Sequence, residues 1–428
     1  MNHRVVWIFL LWMSCLSVRA EENPRIPVVN PESSVSSHDY GDALLGDWGG
    51  RRGAMSAYGY DWQIVYKLDL LGKTSAPSRK IYGLDNLDIK LSLDGEKIAG
   101  LKGSSGLLYI LSNHGSKPAV HGNRLPHGLD NIETPDGANT VNLYQAWIQQ
   151  TFLDERLSVL AGLYDLNSEF YATGSSGIFI HPTFGIGAEM AGTGQNGPSI
   201  FPTASFAIRA MAETEGYYLQ AITLDGVPGA PGNHHGAHVQ FNKGDGALNV
   251  VEAAIPLSVA ENAHDNKLAL GAWRYTSRFD DLLDVDINSN PIKRISRGYY
   301  AMVEKVLRYK PGSNEGNINS FARAGKTEGD TSQFDMAWSA GLVFSGLFAG
   351  REQDQLGFAI AQERNGAKYR AVPGNPQVVH ERSFELTYRY QAMPGLVLQP
   401  VAQYLLNHSY DTAQDRSWWL GIRLEVSF

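Results

Sequence analysis

The chain closes on Trp418-Trp419-Leu420-Gly421-Ile422-Arg423-Leu424-Glu425-Val426-Ser427-Phe428. Every second residue from Trp418 is bulky and apolar: Trp418, Leu420, Ile422, Leu424, Val426 and Phe428. The intervening set carries Arg423 and Glu425 at its centre. A period of two marks a β-strand, whose side chains project to opposite faces in turn. This strand is oily on one face and charged on the other, so it suits a boundary between an apolar phase and water.

The pattern recurs. Trp62, Ile64, Tyr66, Leu68 and Leu70 alternate with Gln63, Val65, Lys67 and Asp69. Leu87, Ile89, Leu91 and Leu93 alternate with Asp88, Lys90, Ser92 and Asp94, and Phe384, Leu386, Tyr388 and Tyr390 with Glu385, Thr387 and Arg389. About sixteen such segments fall between residues 61 and 428. Those expected at 267–279, 297–309 and 318–327 include the two weakest alternations, the last pair.

Most segments approach the roughly 9–11 residues that carry a tilted strand across a bilayer. A soluble two-sheet protein needs only about 5–6. Aromatics gather at strand ends (Trp62, Trp418, Tyr388, Tyr390). Long polar connections, above all 167–204, mostly alternate with tight ones such as Met393-Pro394-Gly395. Outer-membrane barrels show this asymmetry. The predicted fold is all-β: a transmembrane antiparallel β-barrel of about sixteen strands with short periplasmic turns and long external loops.

Residues 1–20 read as a secretory signal, with Arg4 before an apolar stretch and Val18-x-Ala20 at the cleavage site. The only cysteine, Cys15, leaves with that segment, so the mature chain is expected to hold no disulfide. Residues 21–60 are expected to form a periplasmic segment with a short helix, and 61–428 the barrel. With 44 acidic against 36 basic residues, the exported chain is net acidic, which argues against a nucleic-acid partner. Mean hydropathy is −0.24, which does not exclude a membrane barrel, because alternation hides its apolar residues.

Several motifs carry little chemistry. Gly192-Thr193-Gly194-Gln195-Asn196-Gly197 matches a dinucleotide fingerprint, but Pro198 and Pro202 deny it the following helix. His234, His235 and His238 lack further ligands at zinc spacing. Asp284, Asp286 and Asn288 open like a calcium loop, yet Ser289 and Ile295 stand where Gly and Glu are needed. No nucleophile elbow is present. The reading is of a non-enzyme without catalytic residues, cofactor or metal.

The polar strand faces are more telling. They carry Lys67, Asp69, Asp88, Lys90, Gln145, Trp147, Gln149, Arg209, Glu385, Arg389, Gln399, Gln403, Arg423 and Glu425. Both signs of charge, amides and an aromatic suit a neutral polyol: cations donate to hydroxyls, carboxylates accept, and a ring face stacks on the sugar. The alternative is that these residues pair across strands and fill a wet lumen. Both readings stand for each residue.

At this point the chain resembles the OprB family of carbohydrate-selective porins. The resemblance lies in LLGDWGGRRGAMSAYG (Leu44 to Gly59), in AGLYDLNSEFYATGSSGIFIHPTFG (Ala161 to Gly185), and in the closing FELTYRYQAMPGLVLQPVAQYLLN and GIRLEVSF. It implies sixteen strands, a third external loop folded inward to narrow the pore, and passive, sugar-biased diffusion. It also places Arg423, Gln403 and Phe170 in family motifs and makes Phe428 the barrel's terminal aromatic. The chain departs from the family at Arg51, where an apolar residue is usual, and after the Gln403-Tyr404 strand. The expected pore lining is Lys67, Asp88, Lys90, Trp147, Phe170, Arg209, Glu385, Arg389, Gln403, Arg423 and Glu425. The expected setting is the bacterial outer membrane, with sugars as permeants, outer-membrane lipid and lipopolysaccharide as surroundings, and a monomer or homotrimer. A polysaccharide export channel engaged through Glu21–Gly59 and an outer-membrane lipid hydrolase are the alternatives.

Overall fold

The structure is a computed structural model and describes residues 42–74, 80–116, 118, 128–133, 139–214, 217–233, 235–257, 266–308, 317–407 and 416–428. The expected signal segment and His234 lie outside them.

Alternating sequence becomes strand. In chain order these are β1 (Tyr60–Lys73), β2 (Ile81–Asp94), β3 (Ser104–Gly115), β4 (Thr140–Phe152), β5 (Leu157–Tyr164), β6 (Ser205–Thr214), β7 (Tyr217–Asp225) and β8 (Ala247–Pro256). There follow β9 (Lys267–Val285), β10 (Pro291–Arg308), β11 (Asn317–Thr327), β12 (Phe334–Ser345), β13 (Gln355–Asn365), β14 (His380–Met393), β15 (Leu396–Leu406) and β16 (Arg416–Ser427). Each pairs with its sequence neighbours, and β16 returns to β1 to close the barrel. The closing pair is antiparallel, with Asp69 opposite Arg423 and Lys67 opposite Glu425. Closure leaves no open edge, the condition for a sheet inside hydrocarbon.

The phase is that of a membrane wall. On β16, Trp418, Leu420 and Ile422 are exposed, while Trp419 and Arg423 are buried inside. Ile148, Ile208, Leu219, Leu270 and Leu386 likewise stand exposed on other strands. An apolar skin of this extent has no place on a water-soluble monomer. It fits the lipid-facing band of an outer-membrane barrel.

Helix α1 (Arg51–Ala57) packs at the end at which β1 begins. Arg52, buried, donates to the Phe428 carbonyl at 2.9 Å and to the Trp62 carbonyl at 2.6 Å, gripping both sides of the seam. Leu44 N–H adds a bond to the Ser427 carbonyl at 2.8 Å. Arg51, the residue that departs from the family motif, is exposed.

The expected boundaries fail at one hairpin. β9 runs six residues past Phe279 and β10 starts six before Arg297. The Asp284-Asp286-Asn288 stretch is therefore the end of a projecting hairpin. Asp286 Oδ1 caps its turn by accepting from Asn288 N–H at 2.8 Å and Asn290 N–H at 2.9 Å. The alternation there is charged on the outer face, so hydrophobic pattern alone does not reveal it.

Candidate functional site in the barrel lumen

The connection 165–204 between β5 and β6 does not stay outside. Asp165 starts it by accepting from Asn167 N–H at 2.8 Å, and Phe170, Tyr171, Phe184 and Met190 are buried among wall residues. Its carbonyls and N–H groups lack a ladder and must find other partners. The wall supplies them as charged side chains.

Three glutamates act as latches. Glu252 on β8 accepts from Tyr171 N–H at 2.9 Å, Glu304 on β10 from Gly174 N–H at 3.1 Å and Ser175 N–H at 2.5 Å, and Glu385 on β14 from Ile180 and His181 N–H, both at 2.8 Å. Arg323 on β11 donates in the opposite sense, to Gly185 O at 2.6 Å and Thr183 O at 3.0 Å. Gln399 donates to Ile178 O at 2.7 Å. Arg209 clasps Glu169 through two nitrogens. Charge-assisted bonds of this kind are about twice as strong as neutral ones.

The fit is close. A Cβ on Gly325 of β11 would overlap Glu189 Oε1 and lie 2.5 Å from the Tyr171 hydroxyl. That hydroxyl donates to Glu189 Oε1 at 3.0 Å. Burial pushes the Glu189 carboxyl up to about 7, against the opposing pull of Tyr171 and Arg323.

A second piece of chain joins it. Arg423 holds Asp69 at 2.5 Å, Asp130 at 3.2 Å and Asn131 Oδ1 at 2.7 Å. Asn131 N–H donates to Ile180 O at 2.8 Å, and Gln403 to Leu129 O at 3.1 Å. Burial, then the Asp69 charge, raises the Asp130 carboxyl well above its usual range, with Arg423 opposing. The short segment 128–133 thus backs the inner loop against the β1–β16 seam.

The expected lining therefore divides. Arg209, Glu385, Gln403 and Arg423 are buried and committed to loop backbone or to loop side chains. Phe170 lies wholly inside the packed core. Trp147 packs edge-on against Tyr164 at 6.3 Å and donates to Gln145 at 3.2 Å. A smaller group, Lys67, Lys90, Arg389 and Glu425, stays only half-buried, and Asp88 and Tyr109 are buried beside the first two. Half-buried Lys67 pairs with Asp88 at 3.1 Å, and Tyr109 donates to the same carboxylate at 2.6 Å. Lys90 lies over the Tyr109 ring at 4.6 Å. Arg389 meets Glu425 at 2.5 Å and, with Gln355, Asn319, Ser175 and Ile178, borders a cavity of about 370 Å³.

A family model described as carbohydrate-selective porin, OprB family, matches residues 78–428. The chain belongs to the OprB family. It is an outer-membrane carbohydrate porin, and its barrel is the transport path. Porin B of Pseudomonas aeruginosa is 22% identical over 90% of this chain and 91% of its own length. Putative porin QuiX of Acinetobacter baylyi is also 22% identical, over 90% of this chain and 93% of its own. The high-pH structure of Pseudomonas putida OprB superposes with a TM-score of 0.78 at 20% identity, covering 92% of this chain and all of that one.

Glu252, Glu304 and Arg323 escape the alternation pattern, because two of their strands are the weakest in sequence. A signal was present. Each is a lone charge at the inward phase of an otherwise small or apolar stretch, as in Val250-Val251-Glu252-Ala253-Ala254.

Proposed function

We propose that this OprB-family protein passes mono- and small oligosaccharides by facilitated diffusion, with no covalent step. The loop 165–204, latched across the lumen, is taken as the constriction. The observation that carries the reading is the mixed lining that remains beside it: half-buried Lys67 and Lys90 on one wall, braced by the buried Asp88 and Tyr109, and half-buried Arg389 and Glu425 on another. Donors and acceptors of both signs match hydroxyl groups, whereas a one-sided excess of Arg and Lys would select anions. Of the segment 21–60, residues 21–41 lie outside the described residues; the described part, 42–60, is read as the periplasmic end, since α1 packs where β1 begins and β16 finishes.

The check is single-channel recording in planar bilayers with a sugar panel. Sugars are expected to reduce ion current at millimolar concentration, and Lys90→Ala and Arg389→Ala to weaken that block by roughly tenfold, the effect of one charge-assisted hydrogen bond. Block by amino acids of equal size but not by sugars would remove the carbohydrate reading.

A further inference from the structure

The outward face of β9, β10 and β11 changes character toward the loop end of the barrel. On β9 it runs Leu268, Leu270 and Ala272, then Arg274, Thr276 and Arg278. On β10 it carries Lys293 and Arg297 before Tyr299, and on β11 it ends at Lys326. Buried neighbours fix these directions: Trp273 and Tyr275 flank Arg274, Ser296 precedes Arg297, and Thr327 follows Lys326.

Arg274 and Arg297 stand directly opposite in register, and Lys326 lies opposite Tyr299, two residues along from Arg297. Like charges facing each other across a strand pair destabilise a sheet. The chain relieves this only in part. Glu328 takes Arg297 at 2.5 Å and Asp280 takes Lys293 at 2.7 Å. Arg278 donates only to the Lys293 carbonyl at 3.2 Å, and Arg274 and Lys326 have no ion pair among the described residues. Five cations thus meet two carboxylates on one outward face. On β8 the residue opposite Arg274 is Asn249, bonded to Thr223 at 2.9 Å, so the change from apolar to polar falls at the same level on the neighbouring strands.

We propose that this face binds the phosphate groups of an anionic glycolipid of the outer leaflet. The inference rests on the outer-membrane setting of the family. Guanidinium forks match phosphate oxygens in geometry as well as charge. An acyl chain has a surface waiting just beyond, in Leu268, Leu270 and the exposed ring of Tyr299. A tyrosine at that depth suits the headgroup boundary. Free phosphate would have no use for the apolar half of the face, so the glycolipid is the assigned occupant.

The test uses the full detergent-purified protein and diphosphoryl lipid A, with retained lipid counted by native mass spectrometry. Wild type is expected to retain it, and the triple variant R274A/R278A/K326A to bind on the order of 100-fold more weakly. The dephosphorylated glycolipid should bind wild type as poorly as the variant binds the phosphorylated form. Equal retention by wild type and variant, or release of the lipid by inorganic phosphate at constant ionic strength, would overturn the assignment. Sugar flux of the variant is measured in parallel and is expected to be unchanged. Lost lipid binding with intact flux supports this site, whereas absent sugar flux in wild type counts against the porin reading alone.

Discussion

Arg423 carries more of the architecture than its place in a terminal strand suggests. It joins β16 to Asp69 on β1 and, through Asp130 and Asn131, ties the segment 128–133 to the seam. Removing one member of a buried ionic group leaves the others uncompensated, at a cost of about 3–5 kcal/mol. Arg423→Ala is therefore expected to lower the unfolding temperature of the purified barrel markedly, while Arg423→Ala with Asp69→Asn should recover part of the loss. Sequence showed that Arg423 faces inward but not what it meets, because Asp130 lies 293 residues away in a polar loop with no pattern of its own. Glu189 gives a pH signature. Its carboxyl is raised by burial from the ordinary 4.5 to about 7, so the protonated form is favoured by folding. That stabilisation is fully present below about pH 4.5 and is lost as pH rises through about 7. The change amounts to about 3 kcal/mol at most. Glu189→Gln should flatten the pH dependence of thermal unfolding between pH 5 and 8; an unchanged slope would show that another group sets it.

At the scale of elements, the strands were legible and the inner loop was not. Strand phase follows from the period of two; burial alternates with it on β14 from Ser383 to Thr387 and on β16 from Arg416 to Arg423, beyond which Leu424 to Phe428 are all half-buried. Leu386→Arg, placing a charge near the middle of the lipid face of β14, is expected to destabilise the barrel by about 2–4 kcal/mol, read from denaturant unfolding in lipid. The loop 165–204 has no periodicity, and its position depends on single wall charges. Its inward course came from family resemblance, whereas Glu252, Glu304 and Arg323 emerge only when strands far apart in sequence are brought around one lumen. Glu304→Ala with Glu385→Ala strips four loop N–H groups of their acceptors. Single-channel conductance is expected to rise and become noisier as the loop loosens. Conductance identical to wild type would show that the loop is held by packing rather than by these carboxylates.

For the whole molecule, the same alternation serves two solvents at once. Its apolar half faces hydrocarbon, and its polar half holds the constriction and lines what is left of the channel. Much of the lining expected to bind sugar is spent as scaffold, which leaves Lys67, Lys90, Arg389 and Glu425 as the members of that set that stay only half-buried. Sequence could not make this division, because a charged residue that faces inward reads the same whether a loop or a permeant covers it. The measurement that bears most directly on the account is liposome swelling with purified protein, comparing sugars with amino acids of matched size. Faster entry of sugars is expected in wild type, with the advantage reduced in the Glu304→Ala, Glu385→Ala protein. Equal rates for sugars and amino acids in wild type would contradict a lumen matched to hydroxyl groups.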